Sequence, residues 1–110
     1  MKSSELAKSL NLTLLVDVES EIHIEGVYIG DLLSIVMAKA KNNYAWITIQ
    51  THINIIAVAE LLELSCIIIV ENMEVDNDTL DKAKELNIPI FKTEKTAYEI
   101  ACILYDMGIK

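Results

Sequence analysis

The sequence contains no arginine: its nine basic residues are all lysines, set against 17 aspartates and glutamates, for a net charge of −8. Nucleic-acid binding needs a basic face that displaces counterions from the phosphates, so this balance argues against it. The absence of arginine also removes the planar fork that grips phosphate with two bonds. An anionic ligand would therefore depend on lysines and on the backbone N–H groups at helix starts.

Glycine is scarce as well, with three residues at positions 26, 30 and 108. The chain has no glycine-rich phosphate loop, no nucleophile elbow and no paired Cys/His ligand set. The close backbone approaches that dinucleotide folds require are also missing. These absences weigh against a self-sufficient enzyme, so we predict no catalytic residues and no cofactor.

The two cysteines, Cys66 and Cys102, lie in apolar segments and far apart in the sequence. We interpret both as small buried hydrophobic residues in a reducing compartment, not as a metal site or redox pair. The acidic stretch ENMEVDNDTLD lacks the sixth-position glycine and the final glutamate of a calcium loop. No metal site is therefore predicted.

Long apolar runs are absent too, since none approaches the roughly 20 residues needed to span a bilayer. The N-terminal stretch MKSSELAKSL is polar and unlike a signal peptide. From these features we expect a soluble cytoplasmic protein that does not interact with membranes.

What the sequence does have is a 53% apolar composition over 110 residues, enough to fill the core of one domain spanning residues 1–110. Strands are predicted at 12–16, 45–49, 66–70 and 89–91, and helices at 3–10, 32–40, about 53–64, 77–86 and 94–107. The segments LTLLV and EIHIEGVYI are predicted to be two short strands forming a hairpin or an edge pair. The continuous run CIIIV indicates a strand covered on both faces, which is typical of a parallel sheet. We therefore predict an α/β domain: a mostly parallel central sheet flanked by helices, with an N-terminal helix and short edge strands.

Helix boundaries are marked by local signals. Asp31 is predicted to be the N-cap of the second helix, Thr51 or Asn54 that of the third, and Thr93 that of the last. At the C-terminal ends, Asn87 before Ile88-Pro89 and Gly108 before Ile109 predict left-handed stops.

Ligands of parallel sheets bind beyond the carboxyl ends of the strands, and this rule selects the candidate site. The candidate ligand-binding residues are Asp31, Gln50, Thr51, His52, Asn54, Thr93 and Lys95. His52 stands out because an imidazole can donate, accept or transfer a proton near neutral pH. The competing interpretation is that His52 caps a helix or packs against Tyr28 or Trp46.

The order of the segments EGVYIGDLLSIVMAKAK, WITIQTHINIIAVAELLEL, CIIIV and LNIPIFKTEKTAYEIACIL resembles the DRTGG domain family over about residues 12 to 108. The similarity is greatest to short stand-alone members from anaerobic bacteria. In the larger family the strand corresponding to 66–70 leads to a glycine pair, where this chain has ENM. The resemblance implies a mixed α/β fold and a non-catalytic regulatory or oligomerising role, often as the dimer-forming part of a nucleotide-regulated enzyme.

Three functional hypotheses follow. The first is a regulatory, ligand-sensing domain that binds a nucleotide-like or anionic metabolite and forms a homodimer, because the segments LLSIVMAKA and INIIAVAELLEL are apolar nearly all round. The second is a small enzyme or ligand binder centred on His52. The third is an adaptor that docks onto a metabolic enzyme through its acidic surface.

Overall fold

The structure, a computed structural model, describes residues 1–110, whose strands are short and are mostly separated by helices. The strands are β1 Thr13–Val16, β2 Gly26–Ile29, β3 Tyr44–Thr48, β4 Cys66–Ile69 and β5 Ile90–Lys92. The helices are α1 Ser3–Leu10, α2 Leu33–Lys39, α3 Asn54–Leu62, α4 Asn77–Glu85 and α5 Ala97–Asp106. The predicted alternation of strand and helix from β3 onwards is confirmed.

The strands form a single five-stranded sheet in the order β1-β5-β4-β3-β2. Strands β2 to β5 are parallel, each beside the next in the sequence, while β1 pairs antiparallel with β5. The α/β class with a mostly parallel sheet is therefore confirmed. Both edge strands are short, as predicted.

The predicted hairpin between the first two strands is wrong, because β1 and β2 lie at opposite edges of the sheet. The segment between them is extended, but its backbone is not part of the sheet. Ile22 is buried, and its N–H donates to the carbonyl of Met1 over 2.8 Å. The alternation of Ile22, His23 and Ile24 therefore reflects one-sided burial of an extended segment, which the period-2 pattern does not distinguish from a paired strand.

Strand β4 lies at the centre of the sheet, and each of its four residues is buried. Ile67 and Ile69 belong to the apolar cluster under α2, α3 and α4, whereas Cys66 and Ile68 belong to the cluster under α1 and α5. Successive side chains of a strand point to opposite faces, so a strand covered on both faces must be apolar throughout. Full burial of each isoleucine contributes about 1.5–3 kcal/mol relative to exposure.

The helix C-termini follow the sequence closely. Asn87 has φ 58° and Gly108 has φ 93°, both in the left-handed region predicted for them. Ile88 is buried against the body of the protein, as expected when the chain folds back after a helix.

The two cysteines differ in exposure. Cys66 is buried, but Cys102 is exposed on α5, so its predicted burial is wrong. No helix combines the length and apolar content needed to cross a membrane.

Candidate ligand site at the carboxyl edge of the sheet

Because β3, β4 and β5 are parallel, the segments that follow them meet at one edge of the sheet. Thr48 is in register with Ile69, and Ile69 with Lys92, so the three strands end at the same level. The structure places the seven candidate residues on this edge, in two groups. Asp31, Gln50, Thr51, His52 and Asn54 surround the end of β3, while Thr93 and Lys95 follow β5. No side-chain hydrogen bond joins the two groups.

Asp31 does not cap α2. The N-cap position is Leu32, which provides no side-chain hydrogen bond. Instead, the Asp31 carboxylate accepts hydrogen bonds from Thr48 Oγ1 over 2.8 Å and from the N–H of Ile49 over 3.0 Å. Gln50 Nε2 donates to the carbonyl oxygen of Asp31 over 2.7 Å. Asp31 and Gln50 therefore tie the β2–α2 loop to the end of β3, which occupies much of their hydrogen-bonding capacity.

The prediction that Thr51 or Asn54 caps α3 is also wrong. The N-cap position is Ile53, and no side chain bonds the first turn. Thr51 contributes its backbone carbonyl, which accepts a hydrogen bond of 2.8 Å from the buried Thr79 hydroxyl. Asn54 is the first residue of α3, and its exposed side chain makes no hydrogen bond with the protein. Of the two, the Asn54 amide is the group available to a ligand.

His52 neither caps a helix nor packs on Trp46, which is fully buried and donates its indole N–H to Gly30 O. The His52 side chain is 71% exposed, and its Nδ1 lies 2.8 Å from Asp76 Oδ2. An ionised carboxylate only accepts, so Nδ1 is the donor in this bond, and Nε2 makes no hydrogen bond with the protein. Asp76 occupies the N-cap position of α4 but makes no capping bond with its side chain. His52 therefore has a carboxylate partner, which lies 24 positions away in the sequence.

Beside β5, a cavity of about 270 Å³ is lined entirely by polar residues. They are Asn11, Thr13, Asn72, Lys92, Thr93, Glu94 and Lys95. Thr93 and Lys95 are among the predicted ligand-binding residues, whereas Asn11, Thr13 and Lys92 were not anticipated from the sequence. Asn11 and Thr13 reach the cavity because β1 runs antiparallel to β5, so the start of β1 lies beside the end of β5. The β1–β5 pairing is the only feature that would have revealed them, and no local pattern specifies it.

Thr93 lines this cavity instead of capping α5. Its hydroxyl accepts a 3.1 Å hydrogen bond from the N–H of Lys95. The N-cap is Thr96, whose hydroxyl accepts from the N–H of Glu99 while the Glu99 carboxylate accepts from the N–H of Thr96. This reciprocal pair is a capping box, and it leaves residues 93–95 free to form a loop.

The charges in the cavity are unequal. Lys92 Nζ lies 2.9 Å from a carboxylate oxygen of Glu74, so its charge is already compensated. Lys95 takes part in none of the ion pairs of the chain. Among the residues lining the cavity, Lys95 is thus the cation without a carboxylate partner, with amide and hydroxyl groups around it.

The loop after β4 forms one wall of this region. Glu71 and Asn72 have φ values of 61° and 56°, in the left-handed region that glycine adopts most easily. The chain thus adopts, at two residues other than glycine, a backbone conformation that favours glycine. The N–H of Glu71 donates to Lys95 O over 3.0 Å, and that of Asn72 donates to Thr93 O over 2.9 Å. Because these N–H groups hold the two loops together, they are not available to bind a phosphate.

The fold and the polar strand ends define a layered α/β domain with a ligand-accessible carboxyl edge. A family model described as the DRTGG domain matches residues 5–107, and the chain belongs to this family. A crystal structure of the CBS and DRTGG domains of the regulatory region of Clostridium perfringens pyrophosphatase, complexed with the activator diadenosine tetraphosphate, has a similar fold. It superposes with a TM-score of 0.68 at 13% identity, covering 92% of this chain and 44% of that one. This chain therefore spans less than half of the solved regulatory region. No curated protein matches the chain.

Proposed function

We propose that residues 1–110 form one DRTGG-like regulatory domain without catalytic activity, which senses a small anionic metabolite at the cavity beside β5. The observation that carries this proposal is Lys95, an unpaired cation among polar residues in a chain of net charge −8. Membership of the DRTGG family supports a regulatory role. The regulatory region of similar fold, which was crystallised with a nucleotide activator, supports a phosphate-bearing ligand.

The lining of the cavity is suited to binding but not to a reaction. The amides of Asn11 and Asn72 and the hydroxyl of Thr13 can donate to ligand oxygens, and Lys95 supplies a positive charge. The carboxylate of Glu94 would repel a second negative group on that side. At about 270 Å³ the cavity holds a phosphate group or a small carboxylate, so a nucleotide would place one phosphate inside and extend beyond the rim.

The test is a thermal-shift and calorimetric series with inorganic phosphate, ADP and ATP, using the full chain and its Lys95→Ala variant. A ligand at 100 times its Kd stabilises the folded state by about 2.7 kcal/mol, which gives a measurable rise in Tm. We expect Lys95→Ala to abolish the rise. Lys84→Ala is the matched control, since Lys84 is exposed on α4 and forms no ion pair.

Two outcomes would contradict the proposal. One is the absence of a Tm shift with each of the three anions at millimolar concentration. The other is an equal loss of binding in Lys84→Ala and Lys95→Ala, which would mean that anion affinity depends on the net charge of the chain and not on the cavity.

The His52–Asp76 pair favours a second candidate function, a ligand site centred on the imidazole. Asp76 fixes the orientation of the His52 ring and leaves Nε2 without a partner in the protein, so it can bond to a ligand. No nucleophile lies within hydrogen-bonding distance of the ring, which supports binding in preference to catalysis. The natural control is His23, the other histidine, which is also exposed and lies 3.4 Å from Glu25.

NMR of the histidine rings distinguishes the two sites. If His52 binds the ligand, adding nucleotide moves the His52 ring signals and leaves those of His23 in place, and His52→Ala loses affinity while His23→Ala does not. Loss of binding in Lys95→Ala with unchanged His52 signals would assign the ligand to the β5 cavity and refute this second candidate.

We further propose that the domain self-associates as a homodimer. Several large apolar side chains are exposed on the chain, and they include Leu32, Leu61, Tyr98 and Tyr105. Exposed apolar groups in such number are typical of surfaces that contact another protein. Sedimentation velocity over about 1–100 µM, the range in which many dimers of modest affinity form, tests the proposal. A single monomeric species throughout would refute it.

A further inference from the structure

Lys92 is the second cation of the cavity beside β5, and a carboxylate of the chain itself occupies it. Its Nζ lies 2.9 Å from Glu74 Oε1. The Lys92 side chain is only 15% exposed, so the packing of its stem restricts where the ammonium group can lie. Lys92 lines the same cavity as Lys95, which has no carboxylate partner. The cavity therefore contains one free lysine and one lysine that already binds an anionic group.

The Glu74 side chain is held by this single contact. It is 92% exposed, and the ion pair with Lys92 is the only hydrogen bond or ion pair that it makes. The backbone of its loop is fastened separately, since the N–H of Asn72 donates to Thr93 O over 2.9 Å. Release of the carboxylate thus needs only the rotation of an exposed side chain. Ion pairs with an exposed partner contribute little to stability, so this rotation costs little.

The charge of the cavity depends on where this carboxylate lies. Among the lining residues, Lys92 and Lys95 are positive and Glu94 is negative, which leaves one net positive charge. Glu74, bound to Lys92, cancels that charge. With Glu74 in place the cavity has no net charge to attract an anion, in a chain whose own charge is −8. When Glu74 leaves, two ammonium groups are available to one ligand.

We infer that the Glu74 carboxylate is an internal competitor of the ligand, and that the cavity selects ligands with two adjacent anionic groups, such as a diphosphate. This inference rests on the proposed anion site and specifies its ligand class. A carboxylate oxygen and a phosphate oxygen accept the same charge-assisted hydrogen bond from an ammonium group, so Glu74 marks the position of a second phosphate. The first phosphate binds Lys95, and the second replaces Glu74 on Lys92. A ligand with one phosphate is held by Lys95 and leaves the ion pair intact.

Another lysine–glutamate pair of the chain provides the comparison. Lys82 and Glu85 lie one turn apart on α4, with Nζ and Oε2 separated by 3.5 Å and both side chains exposed. Neither residue lines a cavity. Glu74, in contrast, pairs with a lysine 18 positions away that does line one. Removing the Glu85 carboxylate changes the net charge as removing that of Glu74 does, without affecting the cavity.

The test compares pyrophosphate with inorganic phosphate by titration calorimetry of the full chain at constant ionic strength. We expect the wild-type chain to bind pyrophosphate about tenfold more tightly, because a hydrogen bond to a second charged group is added. Glu74→Gln should raise the affinity for pyrophosphate by about fivefold, the upper range for an ion pair with an exposed partner. The matched control Glu85→Gln should change it by less than about twofold, since exposed charges away from the cavity are screened by salt.

A charge-removing variant of Lys92 completes the comparison. Lys92→Met keeps an apolar stem in the buried position and removes the ammonium group, so the preference for pyrophosphate over phosphate should disappear. In the Lys92→Met background, Glu74→Gln should have no further effect, because the two residues act through one contact. Circular dichroism confirms that each variant folds.

Acetylation of the lysines, followed by peptide mass spectrometry, gives a readout that does not depend on affinity. Without ligand, Lys92 should react faster in Glu74→Gln than in the wild-type chain. Pyrophosphate should protect both Lys92 and Lys95 from acetylation in the wild-type chain, whereas phosphate should protect Lys95 alone.

The outcomes separate this inference from the proposed function. Equal pyrophosphate affinity in the wild-type chain, Glu74→Gln and Glu85→Gln, with binding still lost in Lys95→Ala, would overturn the inference and leave the anion site in place. Protection of Lys95 alone by pyrophosphate would mean that Glu74 stays on Lys92, and would overturn the inference as well. Absence of pyrophosphate and phosphate binding in both the wild-type chain and Glu74→Gln would overturn the inference together with the proposed function.

Discussion

Among single residues, Asp31 has the clearest structural role at the candidate site. Its carboxylate accepts hydrogen bonds from the Thr48 hydroxyl and from the N–H of Ile49. Thr48 is buried, so its hydroxyl depends on this partner. The bonds connect the loop before α2 to the end of β3, which keeps the carboxyl edge in shape for any ligand that binds there.

Replacing Asp31 with alanine should lower the free energy of unfolding by about 1.5–3 kcal/mol, because a buried hydroxyl loses its charged acceptor. Asp31→Asn should cost less, since the amide oxygen can still accept from Thr48. Urea unfolding followed by circular dichroism measures both. Unchanged stability in Asp31→Ala would show that the two bonds contribute nothing to the fold, leaving ligand binding as the role of this side chain.

The two thiols should differ in reactivity. Burial raises the pKa of the Cys66 thiol from 9.0 to about 12, with a smaller opposing effect from the Ser65 hydroxyl. The thiolate is the nucleophile, so Cys66 should resist iodoacetamide at pH 8 while exposed Cys102 reacts. Peptide mass spectrometry assigns the modified residue, and unfolding in guanidinium should make both react. Modification of Cys66 in the folded protein at the rate of Cys102 would contradict the buried position.

The same pKa shift has a consequence for stability at high pH. The folded-state pKa lies above the unfolded value, so the unfolded chain loses the Cys66 proton first as pH rises. The contribution of the buried thiol is complete below pH 9.0 and is lost as the pH approaches about 12. The Cys66→Val variant has no thiol to titrate. Between pH 9.0 and about 12 its free energy of unfolding should therefore fall less than that of the wild-type chain.

For the helices, the structure relocates the start of α5 from Thr93 to Thr96. Thr96 and Glu99 form the capping box, whereas Thr93 bonds within its loop. Thr96→Ala should therefore lower the free energy of unfolding by about 0.5–2 kcal/mol. Tyr98→Ala is a control within the first turn, since its exposed side chain makes no capping bond. An equal fall in the free energy of unfolding of the two variants, measured at concentrations where the chain is monomeric, would argue against a contribution from the capping box.

The C-terminal end of α3 offers a stabilising substitution. Glu63 is the C-cap residue and has φ 55°, a left-handed conformation in which a side chain is strained. Its exposed side chain makes no hydrogen bond or ion pair, so nothing is lost on removing it. Glu63→Gly should raise the free energy of unfolding by about 0.5–1 kcal/mol. Glu60→Gly, inside the same helix, should lower it by about 1 kcal/mol, and a fall in both variants would contradict the strain argument.

Element by element, helix ends with strong local signals were predictable. Asn87 and Gly108 stop their helices because an αL residue followed by an apolar one is a local arrangement. Helix starts were harder, because more than one residue able to cap lies near a start: Thr51 and Asn54 at α3, and Thr93 and Thr96 at α5. For α5, the signal that identifies the N-cap is Glu99, three residues after Thr96, because the two form a capping box. The prediction of Thr93 as the N-cap did not take this spacing into account.

For the whole molecule, the acidic charge predicts how dimerisation responds to salt. Raising NaCl from about 10 mM to about 150 mM shortens the Debye length from roughly 30 Å to roughly 8 Å. Two chains of −8 each then repel less, so the proposed self-association should tighten severalfold in sedimentation experiments. Anion binding at Lys95 should weaken over the same range. A dimer that dissociates on adding salt would instead indicate an interface held by ion pairs.

The strand–helix alternation, the parallel sheet and the burial of CIIIV follow from local patterns, because a strand covered on both faces needs an apolar side chain at every position. Strand order, the His52–Asp76 pair and the cavity that joins Asn11 to Lys95 depend on contacts between segments distant in sequence. Such contacts arise when the helices and sheet pack as layers, and no residue pattern within a single segment encodes them. The local patterns of this chain are thus enough to infer its fold class, whereas the strand order and the partners of its polar side chains follow from how the layers pack.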